Sequence, residues 1–237
     1  MAVAPEKKKK VLPIFFMIDA SGSMKGTRIS AVNTAMRDVV SEIRKIGERE
    51  ITVEFQVRVI TYSYFGIQWK QGSREFGVPL DKYNWIDITD SECEGFTPMG
   101  ECIEEVADMC SDGNWQSCIG KSISKPFMLL ISDGDANGKV EVGNACRKLF
   151  DSKVGQNSVC VSIGIDIDDN EEAIQNLEDF GKSGMVRADD ADPMKLAELI
   201  AKITTSSLLT TSSVEISSTS TDDINKERIN MIVDDIL

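Results

Sequence analysis

Hydrophobic positions along the chain follow two alternating periods. A continuous apolar run, Val11 to Ile18, gives way to a segment from Thr27 to Ile46 in which Ile29, Val32, Met36, Val39, Ile43 and Ile46 recur at steps of three and four. The first is the pattern of a strand buried on both faces, the second a single stripe of an amphipathic helix. The alternation then repeats. Ile51 to Thr61 is β-branched and alternating, a strand, whereas Tyr64 to Asp87 mixes aromatics with glycines and reads as short edge strands and loops. Met99 to Cys110 puts Met99, Ile103, Val106 and Cys110 on one helical face, and Pro126 to Ser132 is another unbroken apolar run. Val140 to Phe150 reads as helix, Ser158 to Ile165 as strand, Glu171 to Phe180 as helix and Met185 to Ala188 as a short strand. Asp192-Pro193 opens a last helix to Ile203, with the acid at the N-cap and proline in the first turn. Such alternation predicts an α/β fold: a doubly wound, mostly parallel central sheet, Rossmann-like, with helices on both faces.

The pattern changes at both ends. Residues 1–10 form a basic N-terminal arm ending in Lys7 to Lys10, and residues 11–203 carry the alternating elements. Residues 204–221 hold 13 Ser/Thr in 18, too polar for a core by composition, and are expected to be a linker. Residues 222–237 place Ile229, Ile232 and Ile236 at helical spacing behind a Ser220…Asp223 capping signal. That short amphipathic helix either frays or docks on its own domain, or lays its apolar face into a partner groove.

Composition narrows the function. The 237-residue chain has 39 acids against 26 bases, a net charge of −13, which repels nucleic-acid phosphates. No run of about 18 apolar residues is present, so no membrane span is expected. The apolar part of the N-terminus is short, contains Pro13 and lacks a small-residue cleavage site, which favours a buried strand over a signal peptide and a cytoplasmic protein. Six cysteines show no C-x-x-C pair and are expected to be reduced. There is no histidine, which removes Ser-His-Asp and Cys-His catalysis and histidine zinc sites.

The chemistry that remains is oxygen. In an open α/β sheet, ligands bind at the loops that leave the carboxyl ends of the strands. Asp19-x-Ser21-x-Ser23 follows the first strand, Gly95-x-Thr97-Pro-x-Gly100 precedes a helix, and Ser132-Asp133-Gly134 ends the apolar strand. Asp19, Ser21, Ser23, Thr97 and Asp133 thus offer two carboxylates and three hydroxyls, a donor set for a hard divalent cation such as Mg2+ or Mn2+. Taken singly, each has a simpler reading as a helix cap or turn residue. Asp133-x-Asp135-x-Asn137-Gly138 also matches half of an EF-hand loop, but position twelve is Asn144 instead of glutamate.

Together the three loops resemble the signature of the von Willebrand factor A family, whose shared feature is the metal-ion-dependent adhesion site. The resemblance covers about residues 11–203. It implies that Ser21 and Ser23 bind the metal directly, Thr97 directly or through water, and Asp19 and Asp133 largely through water. It further implies Mg2+, with Mn2+ or Ca2+ as alternatives, and a protein partner that completes the metal shell with an acidic residue. The run LPIFFMIDASGSM is most similar to the bacterial intracellular branch, which includes tellurite-resistance TerY-type proteins, and so implies a cytoplasmic stress-response system. The expected role is therefore a non-enzymatic, metal-dependent protein-binding module. Two other readings stay open: a Mg2+-dependent phosphoryl-transfer or hydrolytic enzyme using Asp19 or Asp133, and a structural subunit whose metal staples the loops. The sequence leaves the oligomeric state undetermined.

Overall fold

The computed structural model describes residues 10–49, 53–111, 123–189, 192–213 and 221–236. Its sheet is built from β1 (Lys10–Asp19), β2 (Val53–Ser63), β3 (Gly66–Gln71), β4 (Val78–Pro79), β5 (Phe127–Ser132), β6 (Val159–Ile165) and β7 (Met185–Ala188). The order is β3-β2-β1-β5-β6-β7, with β4 also paired to β2. The pairs from β2 through β7 are parallel, and β3 and β4 run antiparallel against β2. This is the mostly parallel, doubly wound α/β sheet that the alternating pattern predicts, with the short edge strands in the aromatic and glycine-rich region.

The unbroken apolar run of β1 has a direct cause. Leu12, Ile14, Phe16 and Ile18 pack into one core, while Phe15 and Met17 pack into the other. Successive side chains point to opposite faces, so a central strand covered on both sides needs apolar residues at every position. The first core is closed by α1 (Thr27–Arg49), α6 (Pro193–Ser213) and α7 (Thr221–Ile236). The second is closed by α2 (Met99–Ser111), α3 (Val142–Asp151) and α5 (Glu171–Phe180), with the short α4 (Lys153–Gln156) beside α3. Asp192 caps α6 as expected, its Oδ1 accepting from the backbone N–H of Met194 and Lys195 at 3.0 and 3.2 Å. Cys93, Cys102, Cys110, Cys146 and Cys160 are free and buried; Cys118 lies outside the described residues. Burial pushes the Cys93 and Cys160 thiols up to about 11, so both stay protonated near neutrality.

One expectation is overturned. Residues 204–213, expected in a linker, are the second half of α6. Composition misleads here because a helix can absorb hydroxyls. Thr204, Thr210 and Thr211 each donate to the carbonyl four residues back, at 2.7, 3.0 and 2.7 Å, and Leu208 is fully buried in the α1 core. Residues 214–220, including the Ser220 capping signal, lie outside the described residues. The C-terminal helix docks on its own domain. Ile229 is buried against Gly184, where an added Cβ would sit 2.3 Å from the Ile229 Cδ1, and Gly184 itself has φ of +149°. Arg228 donates to Thr210 Oγ1 at 2.9 Å, and Ser183 hydrogen-bonds the Asp222 carboxylate.

Helices α1 and α6 lie on one face, α2, α3 and α5 on the other, and the chain leaves β1 for β2 on one side and reaches β5 on the other. The carboxyl ends of β1 and β5 therefore flank the point where the winding reverses, the place where such sheets leave a crevice. Because α6 is anchored along its whole length, Leu208→Ala is expected to lower the unfolding free energy by about 2–5 kcal/mol. Urea denaturation checks this; an unchanged midpoint would show that the distal half of α6 contributes nothing to the core.

Candidate metal centre

Strand β1 ends on a carboxylate with no access to solvent: Asp19 is 0 % exposed. Its next residue continues the ladder, Ala20 N–H donating to Tyr62 O at 2.9 Å. Asp19 Oδ1 then accepts from Ser21 N–H at 2.7 Å, which turns the chain. A single 3-10 turn, Gly22–Met24, follows, and the Oγ atoms of Ser21 and Ser23 meet at 3.0 Å. Ser21 heads this turn without making a side-chain capping bond, and α1 starts only at Thr27, so the helix-cap reading of the motif does not hold for its hydroxyl.

The second loop is sewn to the first by backbone. Gly22 N–H donates to Gly95 O at 3.1 Å, Glu94 N–H to Ala20 O at 3.0 Å and Tyr64 N–H to Glu94 O at 2.8 Å. Gly95 is required here, since its φ is +68° and a Cβ would lie 2.5 Å from the Tyr64 Cβ. Thr97, two residues on, is buried and forms an isolated parallel bridge with Ala136. Its N–H donates to Asn137 Oδ1 at 2.7 Å, and Asn137 N–H returns to Thr97 O at 3.2 Å.

The third loop leaves β5. Ser132 Oγ donates to Asp19 Oδ2 at 2.5 Å and accepts from Gly134 N–H at 2.9 Å, so one hydroxyl ties the end of β5 to the end of β1. Asp133 is 8 % exposed, and its Oδ2 accepts from Arg28 at 3.1 Å. Arg28 in turn donates to Asp166 Oδ2 at 2.6 Å. Asp19, Ser21, Ser23 and Asp133 are thus linked through shared neighbours at the carboxyl ends of β1 and β5, and Thr97 is bound to the loop that carries Asp133.

Four residues of this arrangement are not legible as site residues in the sequence. Ser132 reads as the last residue of a strand, and Arg28 falls in the predicted helix without any motif to single it out. Asp166 lies at the surface, 57 % exposed, and pairs with Arg28. Asn137 does carry a signal, but one that belongs to another motif. In the half EF-hand pattern it would face calcium, whereas its carboxamide holds Thr97 and Asp135 accepts from Asn170 Nδ2 at 2.5 Å.

Electrostatics show what the cluster lacks. Burial, with the neighbouring Asp133 adding to it, lifts the Asp19 carboxyl from an ordinary 3.8 to about 7, against the opposing bonds from Ser132 and Ser21. Asp133 Oδ1 is buried without a hydrogen-bond partner. A buried acceptor left unmatched beside a second buried acid fits a cation and its water, and a set of hydroxyl and carboxylate oxygens fits a hard one. Among the described residues no group of three or more His, Cys, Asp or Glu is spaced to hold a metal, so hydroxyls are essential to any such site.

A reversed-winding sheet with this loop cluster defines a von Willebrand factor A-type fold. The family model for the von Willebrand factor type A domain matches residues 14–202, and the chain belongs to that family. Among solved structures it is similar to proximal thread matrix protein 1 from the mussel byssus with a zinc-occupied metal-ion-dependent adhesion site motif. That match has 15% identity and a TM-score of 0.57, over 83% of this chain and 48% of that one. The pilus adhesin SpaC from Lactobacillus rhamnosus GG matches at 15% identity and 0.55, over 86% and 31%. BatB from Bacteroides thetaiotaomicron matches at 12% and 0.51, over 94% and 99%. The chain spans about half the length of the byssus proteins. At these identities the likeness is one of fold. Comparison with curated proteins by sequence gives no match.

The raised Asp19 pKa makes a signed prediction for the metal-free protein. The folded chain holds this proton more tightly than the unfolded one, so its stabilisation is full below pH 3.8 and is lost as the pH rises through about 7. In EDTA, the wild type is expected to lose stability relative to Asp19→Asn between pH 4 and 7. Parallel pH–stability curves for the two proteins would show that Asp19 is not held protonated.

Proposed function

We propose that this chain is a metal-dependent protein-binding module. Ser21, Ser23 and Thr97 would hold a divalent cation through their hydroxyls, with Asp19 and Asp133 engaging it through water. Once bound, the cation supplies a Lewis-acidic centre for a carboxylate from a protein partner. The observation that carries this reading is Asp133 Oδ1, buried and unmatched beside the raised-pKa Asp19. Hard oxygen donors favour Mg2+, with Mn2+ and Ca2+ as alternatives. A zinc-occupied motif in the byssus protein shows that a neighbour of the same fold takes a divalent ion there.

The surroundings support a macromolecular partner. Tyr64, Phe65 and Phe96 are 60, 51 and 43 % exposed and meet edge-to-face, with ring centroids 5.8 and 5.9 Å apart. Phe96 is next to Thr97 in the chain, so this aromatic group borders the oxygen cluster. An enzymatic use of Asp19 as a base draws no support from the geometry, since both of its oxygens already accept bonds, from Ser21 and Ser132. The functional unit is residues 11–203 with the distal half of α6 and α7 packed on it. Its setting, on the resemblance of Leu12 to Met24, is a bacterial cytoplasmic, tellurite-resistance-like stress system.

Mg2+ at 100 times its dissociation constant is expected to stabilise the wild type by about 2.7 kcal/mol and to leave Asp19→Ala and Ser21→Ala unmoved. Thermal denaturation with Mg2+ and with EDTA reads this directly. Capture of a partner from lysate of the source organism should require both Mg2+ and Asp19. Binding that survives EDTA or Asp19→Ala would remove the metal from the interface.

A further inference from the structure

Arg28 stands in the first turn of α1, its side chain 18 % exposed, and reaches two acids from different loops. One nitrogen donates to Asp133 Oδ2 at 3.1 Å and the other to Asp166 Oδ2 at 2.6 Å, with a longer contact of 3.5 Å to Ser23 O. The two oxygens of Asp133 therefore differ. Oδ2 faces a fixed positive charge, and Oδ1 is buried without a hydrogen-bond partner. The backbone fixes Asp166 as well. At φ 56° it is the one non-glycine residue with positive φ among the described residues, and its N–H is anchored to Ala188 O at 2.8 Å. Aspartate tolerates that left-handed conformation better than most residues, at a cost in strain.

We propose that Arg28 sets the working charge of the metal site. It holds down the affinity for a divalent cation and leaves more of the cation's charge to attract the partner's carboxylate. This rests on the metal-binding reading above. A guanidinium in contact with Asp133 neutralises part of the charge that would attract the ion, and it repels the ion itself. At an effective protein dielectric, a unit charge a few ångströms from a dication changes its affinity by roughly tenfold or more. Asp166 is 57 % exposed and so more screened than Asp133, but it draws one arm of Arg28 outward and tempers the effect. Arg28 is thus a positioning and charge-setting residue, whose removal moves two affinities in opposite directions: the metal binds more tightly, and the metal-loaded site binds carboxylate more weakly.

The test uses the full chain, Mn2+ and acetate. Free Mn2+ is counted by its electron paramagnetic resonance signal, and acetate is then titrated into the Mn2+-loaded protein and followed by water proton relaxation. Arg28→Gln is expected to tighten Mn2+ binding about tenfold and to weaken acetate binding. Arg28→Lys, which keeps the charge but not the fork, should stay within about threefold of the wild type for Mn2+. Asp166→Asn, which removes one acidic partner of Arg28, should weaken Mn2+ binding about threefold. A purely structural Arg28 would make the Gln and Lys variants behave alike, and that result overturns the proposal. So does a Gln variant that binds Mn2+ no more tightly than the wild type. Wild type that binds no Mn2+ sinks the metal-binding reading and this inference together, whereas wild-type binding with the wrong order of variants removes only the role of Arg28.

Discussion

The structure turns on a carboxylate at the buried end of its central strand. β1 has parallel neighbours on both sides and helices over both faces, and its last residue, Asp19, is fully buried. An apolar residue would cost nothing there. Asp19 instead raises a demand that the surrounding chain must meet, because an ionised acid out of water is expensive unless it is bonded or paired. Ser21 and Ser132 meet part of it with two hydrogen bonds. Neither brings positive charge, and Asp133 adds another negative group, so the carboxyl remains at about 7. The cation-shaped need of the site follows from placing this acid on this strand.

The scaffold is legible in the sequence where periodicity reports burial directly. Val11 to Ile18 and Phe127 to Ser132 are apolar at nearly every position because both sheet faces are covered, and α1 shows its stripe because only one of its faces is. The five proposed oxygen donors stand out for a different reason, the positions of their motifs at strand ends. What stays hidden is the supporting layer. Ser132 and Asn137 work by hydrogen bonds across 113 and 40 residues, and Arg28 and Asp133 pair across 105. Nothing in local composition marks a serine that ends one strand as the residue that steadies an acid ending another.

The C-terminal region misleads for the opposite reason: composition speaks, but about the wrong quantity. A Ser/Thr-rich segment is too polar to form a core alone, yet α6 has only to extend an existing one. Back-bonding to carbonyls four residues earlier satisfies Thr204, Thr210 and Thr211, and Leu208 supplies the apolar contact. The seam with α7 is less complete. Asn225 is buried with both side-chain polar atoms unmatched, as is the hydroxyl of Ser207. Ile229 and the Arg228–Thr210 bond must offset that loss for α7 to stay docked.

The loop cluster also bears on what a metal would do here. A stapling ion is needed where loops have nothing else to hold them. These loops are already joined: Gly22 to Gly95 and Glu94 to Ala20 through backbone, Thr97 to Asn137 in both directions, and Ser132 to Asp19. These bonds run between protein groups and hold the three loops around the two buried acids. The aromatic group at Tyr64, Phe65 and Phe96 lies on the same side, held by the Tyr64–Glu94 bond that also steadies the second loop. The Tyr64–Glu94 bond therefore ties the apolar surface to the loop that leads to Thr97.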